Sequence, residues 1–166
     1  MKKWAIVAAC AAVAAIALYF TVFRPSEDDR VRKVLARFAK AVTVKPDDNI
    51  LARAGRLNTE LKATVSDDVF VVIPDLNIRV ASRVALSENA TKAGLVYQSA
   101  ECDLTGMTIK IDDAATTAKV DALAVVTGSR AGDRKVDKRP VHFLLRKDDG
   151  DWRITTIDVA PSRADE

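Results

Sequence analysis

Five side chains have the chemistry to move a proton: Tyr97, Glu101, Asp121, His142 and Asp158. A histidine titrates near neutrality, and a carboxyl or phenol is brought there by burial or a charged neighbour. Strand alternation indicates where they point. Val141, Phe143 and Leu145 form the better core face of their segment, which sends His142 and Leu144 to the outer face or an interface. Asp121 shares a face with Leu123 and Val125, and also with Lys119, which could pair with it. Tyr97 and Glu101 are expected together on one face of the preceding strand. No nucleophile stands beside a base and an orienting group, so the sequence assigns no catalytic residue.

Other chemistries lack their residues. There is no G-x-G-x-x-G, Walker loop, H-E-x-x-H, C-x-x-C or G-x-S-x-G pattern. A single histidine cannot form a multi-histidine metal site. Neither a cofactor nor a metal is therefore expected. The pairs Asp47-Asp48, Asp67-Asp68, Asp112-Asp113 and Asp148-Asp149 fall at element boundaries, where aspartate bonds nearby amides. Arg130, Arg134, Lys135, Lys138 and Arg139 cluster on one hairpin, as a solvated edge or a contact for anionic headgroups or an acidic partner. The net charge of +3 and the lack of aromatics among these cations argue against nucleic acid. Cys10 and Cys102 lie too far apart in the organisation below for an internal disulfide.

The elements begin with Trp4 to Phe23, WAIVAACAAVAAIALYFTVF, which contains no charge and no proline. Twenty helical residues span about 30 Å, a bilayer's hydrocarbon thickness. Trp4 at one end and Tyr19, Phe20 and Phe23 at the other match interfacial aromatic belts. The sequence predicts a short tail over residues 1–3 and a transmembrane anchor over 4–23 that contacts the lipid bilayer. A cleaved signal peptide, and a lipoprotein processed at Cys10, are the alternatives. The Met-Lys-Lys start resembles a bacterial export signal. It places the protein in the bacterial inner membrane as a single-pass protein, with the C-terminal domain in the periplasm.

The rest, 26–160, is long enough to bury one core without disulfides or metal; residues 161–166 are expected to fray. Ser26 with Asp29 reads as a capping box opening a helix over Asp29–Val42, with Val31, Val34, Leu35, Phe38 and Val42 on one face. A second helix is predicted over Asp48–Lys62 and a third over Ser82–Ala93, stopped by Gly94. Val69–Ile73 is a strand. Strands follow over Tyr97–Leu104 and Met107–Ile111 with a bulge at Thr105-Gly106, then Ala118–Thr127, Val136–Lys147 and Trp152–Val159. Residues 128–134 read as a loop, and Asp149-Gly150 as a tight hairpin turn. The fold class is α+β: N-terminal helices on a curved antiparallel sheet, cone-like, behind one transmembrane helix.

This order resembles the nuclear transport factor 2-like superfamily, also called polyketide-cyclase (SnoaL)-like. The resemblance rests on the helix Asp29–Val42, the helix Asp48–Lys62 leading into Val69–Ile73, and the hairpin Phe143–Val159 with its segment Leu144–Ile154. It implies a cone with a pocket inside and a sheet face used for dimers. Members with activity would place an acid or base within the cone. The absence of converging polar groups favours a membrane-anchored, non-catalytic binding or scaffold domain. Its expected partners are a homodimer mate, another envelope protein or a small apolar ligand. The alternative is a small isomerase, dehydratase or hydrolase using a cone-buried carboxyl or histidine.

Overall fold

The computed structural model describes residues 25–46 and 49–161. The anchor expected over 4–23 and, apart from Pro161, the tail expected over 161–166 lie outside the described residues, as do Asp47 and Asp48. Among the described residues, no helix is long and apolar enough to cross a membrane.

Three helices pack on a six-stranded sheet within the described residues. Helix α1 spans Glu27–Val42, α2 Ile50–Thr64 and α3 Arg83–Val96. Strands β1 to β6 span Val65–Ile73, Ile78–Val80, Ser99–Ile111, Thr117–Arg130, Asp133–Asp148 and Asp151–Val159. The spatial order is β2-β1-β6-β5-β4-β3. β3 to β6 form the expected antiparallel meander, but the sheet is mixed, because β1 runs parallel to β6. That pairing joins two distant strands through registers such as Val71↔Ile157, and no local turn signals it.

Local chemistry accounts for the boundaries. Ser26 caps α1 as expected: its hydroxyl accepts from the Asp29 amide at 3.1 Å while the Asp29 carboxylate accepts from the Ser26 amide at 3.3 Å. Asn49 caps α2, so that helix starts at Ile50 rather than Asp48. The bulge in β3 falls where predicted, with a register shift between Thr105 and Thr108 and Gly106 at φ +61°. The expected loop over 128–134 is instead a two-residue turn: Ala131 and Gly132 both take positive φ, and the residues either side continue β4 and β5. Asp149-Gly150 makes the same kind of turn between β5 and β6. At the β3–β4 turn, Asp112 accepts from the amides of Thr116 and Thr117 at 2.7 and 2.9 Å. These bonds, Thr117 first, hold its carboxyl below the usual range. Asp67 and Asp68 are not at a boundary but within β1, where Asp67 pairs with Arg83.

The core lies between the helices and the inner sheet face. Leu35 of α1, Leu57 and Leu61 of α2, Val65 and Val69 of β1, Val120 of β4, Leu145 of β5 and Ile154 of β6 are fully or almost fully buried there. Phe38 meets Phe143 edge to face at 6.3 Å. Helix α3 covers this core loosely. Ala85, Leu86 and Ala90 are partly buried against it, and none of its residues is fully buried.

Two polar contacts set how the helices sit. At the start of α1, the Glu27 carboxylate accepts from Trp152 Nε1 at 2.6 Å and lies 2.9 Å from Lys147 Nζ and 3.0 Å from Arg30. The Lys147 ammonium also stands over the Trp152 ring, 5.1 Å from its centre. Arg30 donates onward to the Gly150 carbonyl at 2.6 Å. The first turn of α1 is thus fastened to the β5–β6 hairpin.

The second contact is Arg53 of α2, which is 2% exposed. It donates to the Thr43 carbonyl at the end of α1 at 3.2 Å and to the Ala90 carbonyl in α3 at 2.8 Å. One guanidinium therefore ties all three helices, and its fork geometry suits two carbonyls in different directions. Its stem lies against Gly94, where a Cβ would come within 3.1 Å of the Arg53 side chain. This corrects the expected role of Gly94. It does not stop α3, which runs on to Val96; it leaves room for the arginine.

The hydrogen bonds from Lys147 and then Trp152 hold the Glu27 carboxyl below its ordinary value. A depressed carboxyl stabilises the fold above its unfolded pKa, and that contribution is lost as pH falls through the folded value. Glu27→Gln will therefore melt below wild type at neutral pH, and the gap will close as pH drops below about 4. Thermal melts across pH 3 to 7 check this; a constant gap would refute it. Arg53→Met will cost about 2–4 kcal/mol in urea unfolding, the scale of lost hydrogen bonds from a charged donor plus imperfect repacking. In a double-mutant cycle, Gly94→Ala will destabilise wild type by crowding Arg53. In the Arg53→Met background it will instead stabilise by up to about 1 kcal/mol, the ordinary gain of replacing a helical glycine.

Candidate functional site

The structure disperses the five proton-moving candidates. His142 and Asp121 are cross-strand neighbours on β5 and β4, with Nδ1 and Oδ1 2.5 Å apart. Both side chains are 58% exposed on the outer sheet face, away from the helices. Asp121 is thus paired with His142, not with Lys119. Asp158 of β6 is the register partner of His142 on its other side, so the histidine stands between two carboxylate strands. Thr108 and Val72 extend this row to β3 and β1.

Tyr97 and Glu101 do not share a strand face. Tyr97 is the C-cap of α3, and its ring lies so close to Gly128 that a Cβ there would meet it at 3.2 Å. Glu101 lies on β3, which begins only at Ser99. Cys102 is half-buried, and burial pushes its thiol up to about 11, so it is not a nucleophile at neutral pH.

Core side chains fill the space between the helices and the sheet, and two grooves open at one end of it. There the α1–α2 linker crosses to the edge of the sheet. Val44 and Ala100 exchange both backbone hydrogen bonds, at 2.7 and 3.0 Å, as an isolated antiparallel bridge. The linker has grooves on both sides. One, of about 210 Å³, is lined by Ile50, Arg53, Thr91, Leu95, Tyr97 and Gln98 with the linker. The other, of about 450 Å³, is lined by Thr43, Lys45, Ser99, Glu101, Ser129 and Arg134 among others. Tyr97 and Glu101 thus face different grooves, and Asp121, His142 and Asp158 face neither.

Sequence reasoning missed the two residues that organise this mouth. Arg53 read as a polar position on an amphipathic helix, and the only hint of burial was its place one turn before Leu57 on the apolar stripe. Val44 had no signal beyond an isolated valine before Pro46. The basic cluster also needs one correction. Arg139 is 17% exposed and pairs with Asp137 at 2.7 Å and Asp75 at 3.1 Å, so it fixes the β1–β2 turn and is not part of a solvated edge.

No family model and no curated protein matches the chain. Solved structures do. A variant of Rv3472, a protein of unknown function from Mycobacterium tuberculosis, is 20% identical, with TM-score 0.62, over 81% of this chain and 74% of its own. A candidate scytalone dehydratase from Novosphingobium aromaticivorans is 14% identical, with TM-score 0.65, over 83% and 85%. A nuclear transport factor 2-like superfamily protein from Salmonella enterica serovar Typhimurium is 14% identical, with TM-score 0.62, over 80% and 88%. At these identities the likeness is one of architecture: among the described residues, three helices on a six-stranded mixed sheet, which is the nuclear transport factor 2-like fold.

Proposed function

We propose that this chain is a membrane-anchored binding or scaffold domain without catalytic activity, held at the bacterial inner membrane by residues 4–23 and facing the periplasm. One observation carries the reading. The residues able to move protons do not converge on an enclosed space, and the interior where they would be activated is packed with leucine, valine, phenylalanine and tryptophan. General acid–base catalysis needs a group within hydrogen-bond reach of an enclosed substrate. The His142–Asp121 pair has the right chemistry and distance but stands on an open sheet face. The dehydratase-like neighbour keeps an isomerase, dehydratase or hydrolase as the second reading, which would require that pair to act there without a cavity.

The outer sheet face is the binding surface we favour for a second copy of the chain or for another envelope protein. It exposes 45% of Phe70 and 37% of Leu123, beside half-buried Val72, Pro140 and Leu144. Apolar side chains mixed with a central polar row suit an interface that forms and dissociates. A small apolar ligand would instead use the groove rimmed by Ile50, Leu95 and Val96.

Two measurements test this. Full-length chain will sediment with membranes, resist high-salt extraction and be released by detergent, and protease added to spheroplasts will digest the folded domain. Recovery of intact full-length chain in the supernatant would end the anchor reading. In neutral detergent the full chain will run as a dimer by analytical ultracentrifugation, and Leu123→Glu will shift it to monomer with an unchanged melting temperature. A monomeric wild type would pass the surface to a different envelope partner, to be identified by crosslinking in membranes.

A further inference from the structure

β5 extends past the strand beside it. It begins at Asp133, whereas β6 ends at Val159, opposite Val141. One bond continues past that end: the Ala160 amide donates to the Pro140 carbonyl at 2.9 Å. Beyond it, among the described residues, β5 has a strand only on its β4 side. The first turn of α1 is fastened to the β5–β6 hairpin, so this open edge lies at the other end of β5 from the start of the domain. The two ends differ in charge. The β3–β4 and β5–β6 turns hold Asp112, Asp113, Asp148, Asp149 and Asp151, whereas the open edge carries Arg134, Lys135 and Lys138.

The register identifies the backbone groups left over. Ala131-Gly132 is a two-residue turn, so the residues flanking it, Arg130 and Asp133, form a hydrogen-bonded pair. Bonding to β4 then recurs at Lys135, Asp137 and Arg139. The alternate residues Arg134, Val136 and Lys138 aim their amides and carbonyls at the open side. The bond from Ala160 to Pro140 has the same parity. Among the described residues, no backbone group on that side bonds these three.

Continuing the β6 register sets Pro161 opposite Arg139, Ser162 opposite Lys138 and Arg163 opposite Asp137. Ala164, Asp165 and Glu166 then fall opposite Val136, Lys135 and Arg134. Pro161 takes a position whose nitrogen faces away from β5, so its missing N–H costs no ladder bond. Each charged residue of the segment meets the opposite charge. Arg163 joins Arg139 on Asp137. Asp165 and Glu166 meet Lys135 and Arg134, which pair with no carboxylate among the described residues. Ala164 lies beside Val136, which is exposed. Opposite charges directly across a ladder stabilise it and like charges oppose it. Cations on an edge discourage pairing with most strands, so this edge selects an acidic one.

We propose that residues 162–166 dock on the open edge of β5 as a continuation of β6, in place of the fraying expected from the sequence. Ala160 is already in register, so no loop has to close. Docked, the segment closes this edge to strands of other chains and leaves the outer sheet face as the surface for a partner. The inference is independent of the anchor and of the sheet-face reading.

Amide hydrogen exchange of the full-length chain in neutral detergent, followed by NMR, tests this. The Val136 and Lys138 amides are expected to exchange at least tenfold more slowly than in a chain ended after Pro161. The Lys135 and Asp137 amides, bonded to β4, will be equally protected in both and serve as the control for folding. An amide-to-amide contact between Val136 and Ala164 is expected in the full chain. Lys135→Glu will speed exchange at Val136, and adding Asp165→Lys will restore it. Equal exchange at Val136 and Lys138 in the full and shortened chains would overturn the proposal, as would a charge swap that fails to rescue. Protection that grows with protein concentration would overturn it too, because the segment would then be docking on a second copy.

Discussion

Glu27 is the one carboxylate on which the placement of α1 depends, and α1 in turn decides which end of the sheet does what. Its two oxygens take a tryptophan N–H from β6, an ammonium from β5 and a guanidinium from its own helix. Each donor lies on a different part of the fold, so the helix cannot slide or rotate without breaking a charge-assisted bond. The site is half exposed, and its worth is geometric more than energetic: surface ion pairs contribute little each, while a network from three directions fixes register. Helix α1 then carries the chain about 24 Å along the inner sheet face and delivers Thr43 and Val44 to the other end.

At that other end the α1–α2 linker passes to the edge of the sheet at β3. Three features keep it in place: the Val44–Ala100 bridge, the Arg53 guanidinium on the Thr43 carbonyl, and Arg56 on the same carbonyl at 3.5 Å. The carbonyl at the end of α1 carries the negative pole of the helix, so two guanidinium groups stabilise it. Inside, Trp152 and Phe143 occupy the volume between helices and sheet. Both rings are almost fully buried, and closely packed aromatics of this size contribute much of the core's stabilisation.

What was legible in the sequence was local. The capping box at Ser26, the apolar stripe of α1, the bulge at Thr105-Gly106 and the Asp149-Gly150 turn all follow from backbone preferences within a few residues. The outward direction of His142 follows from alternation alone. Contacts made at long range were not legible. The parallel pairing of β1 with β6, short β2, and the burial of Arg53 depend on what the chain meets after folding. Gly94 illustrates the difference. A glycine near a helix end reads as a stop signal, but here its missing Cβ admits an arginine from another helix. Ala131-Gly132 failed in the opposite way. Its turn chemistry was present, but a run of polar and charged residues around it read as loop, although the twist of two long strands continues through them. The candidate site was the least legible part, because it is bounded by a linker whose course is set by one isolated bridge.

The charge asymmetry bears on how such a domain would stand on a membrane. Between Phe23, the last residue of the apolar stretch, and the Ser26 cap there are only Arg24 and Pro25. If residues 4–23 are an anchor as proposed, a link this short, leading into a helix that is fastened to the sheet, would leave little freedom to reorient. If residues 4–23 occupy a bilayer with anionic lipids, the aspartates of the two nearby turns are repelled by the headgroups within a Debye length of about 8 Å. Lying down would bring the exposed sheet face with Asp121 and Asp158 against the same surface, adding repulsion, while the basic tip could gain attraction. The outcome is set by distance. On the proposed reading, the β4–β5 turn would lie far from the anchor and could approach the lipid only if the whole domain tilted. On the proposed reading, an upright domain would present both the sheet face and the grooves beside the linker to partners.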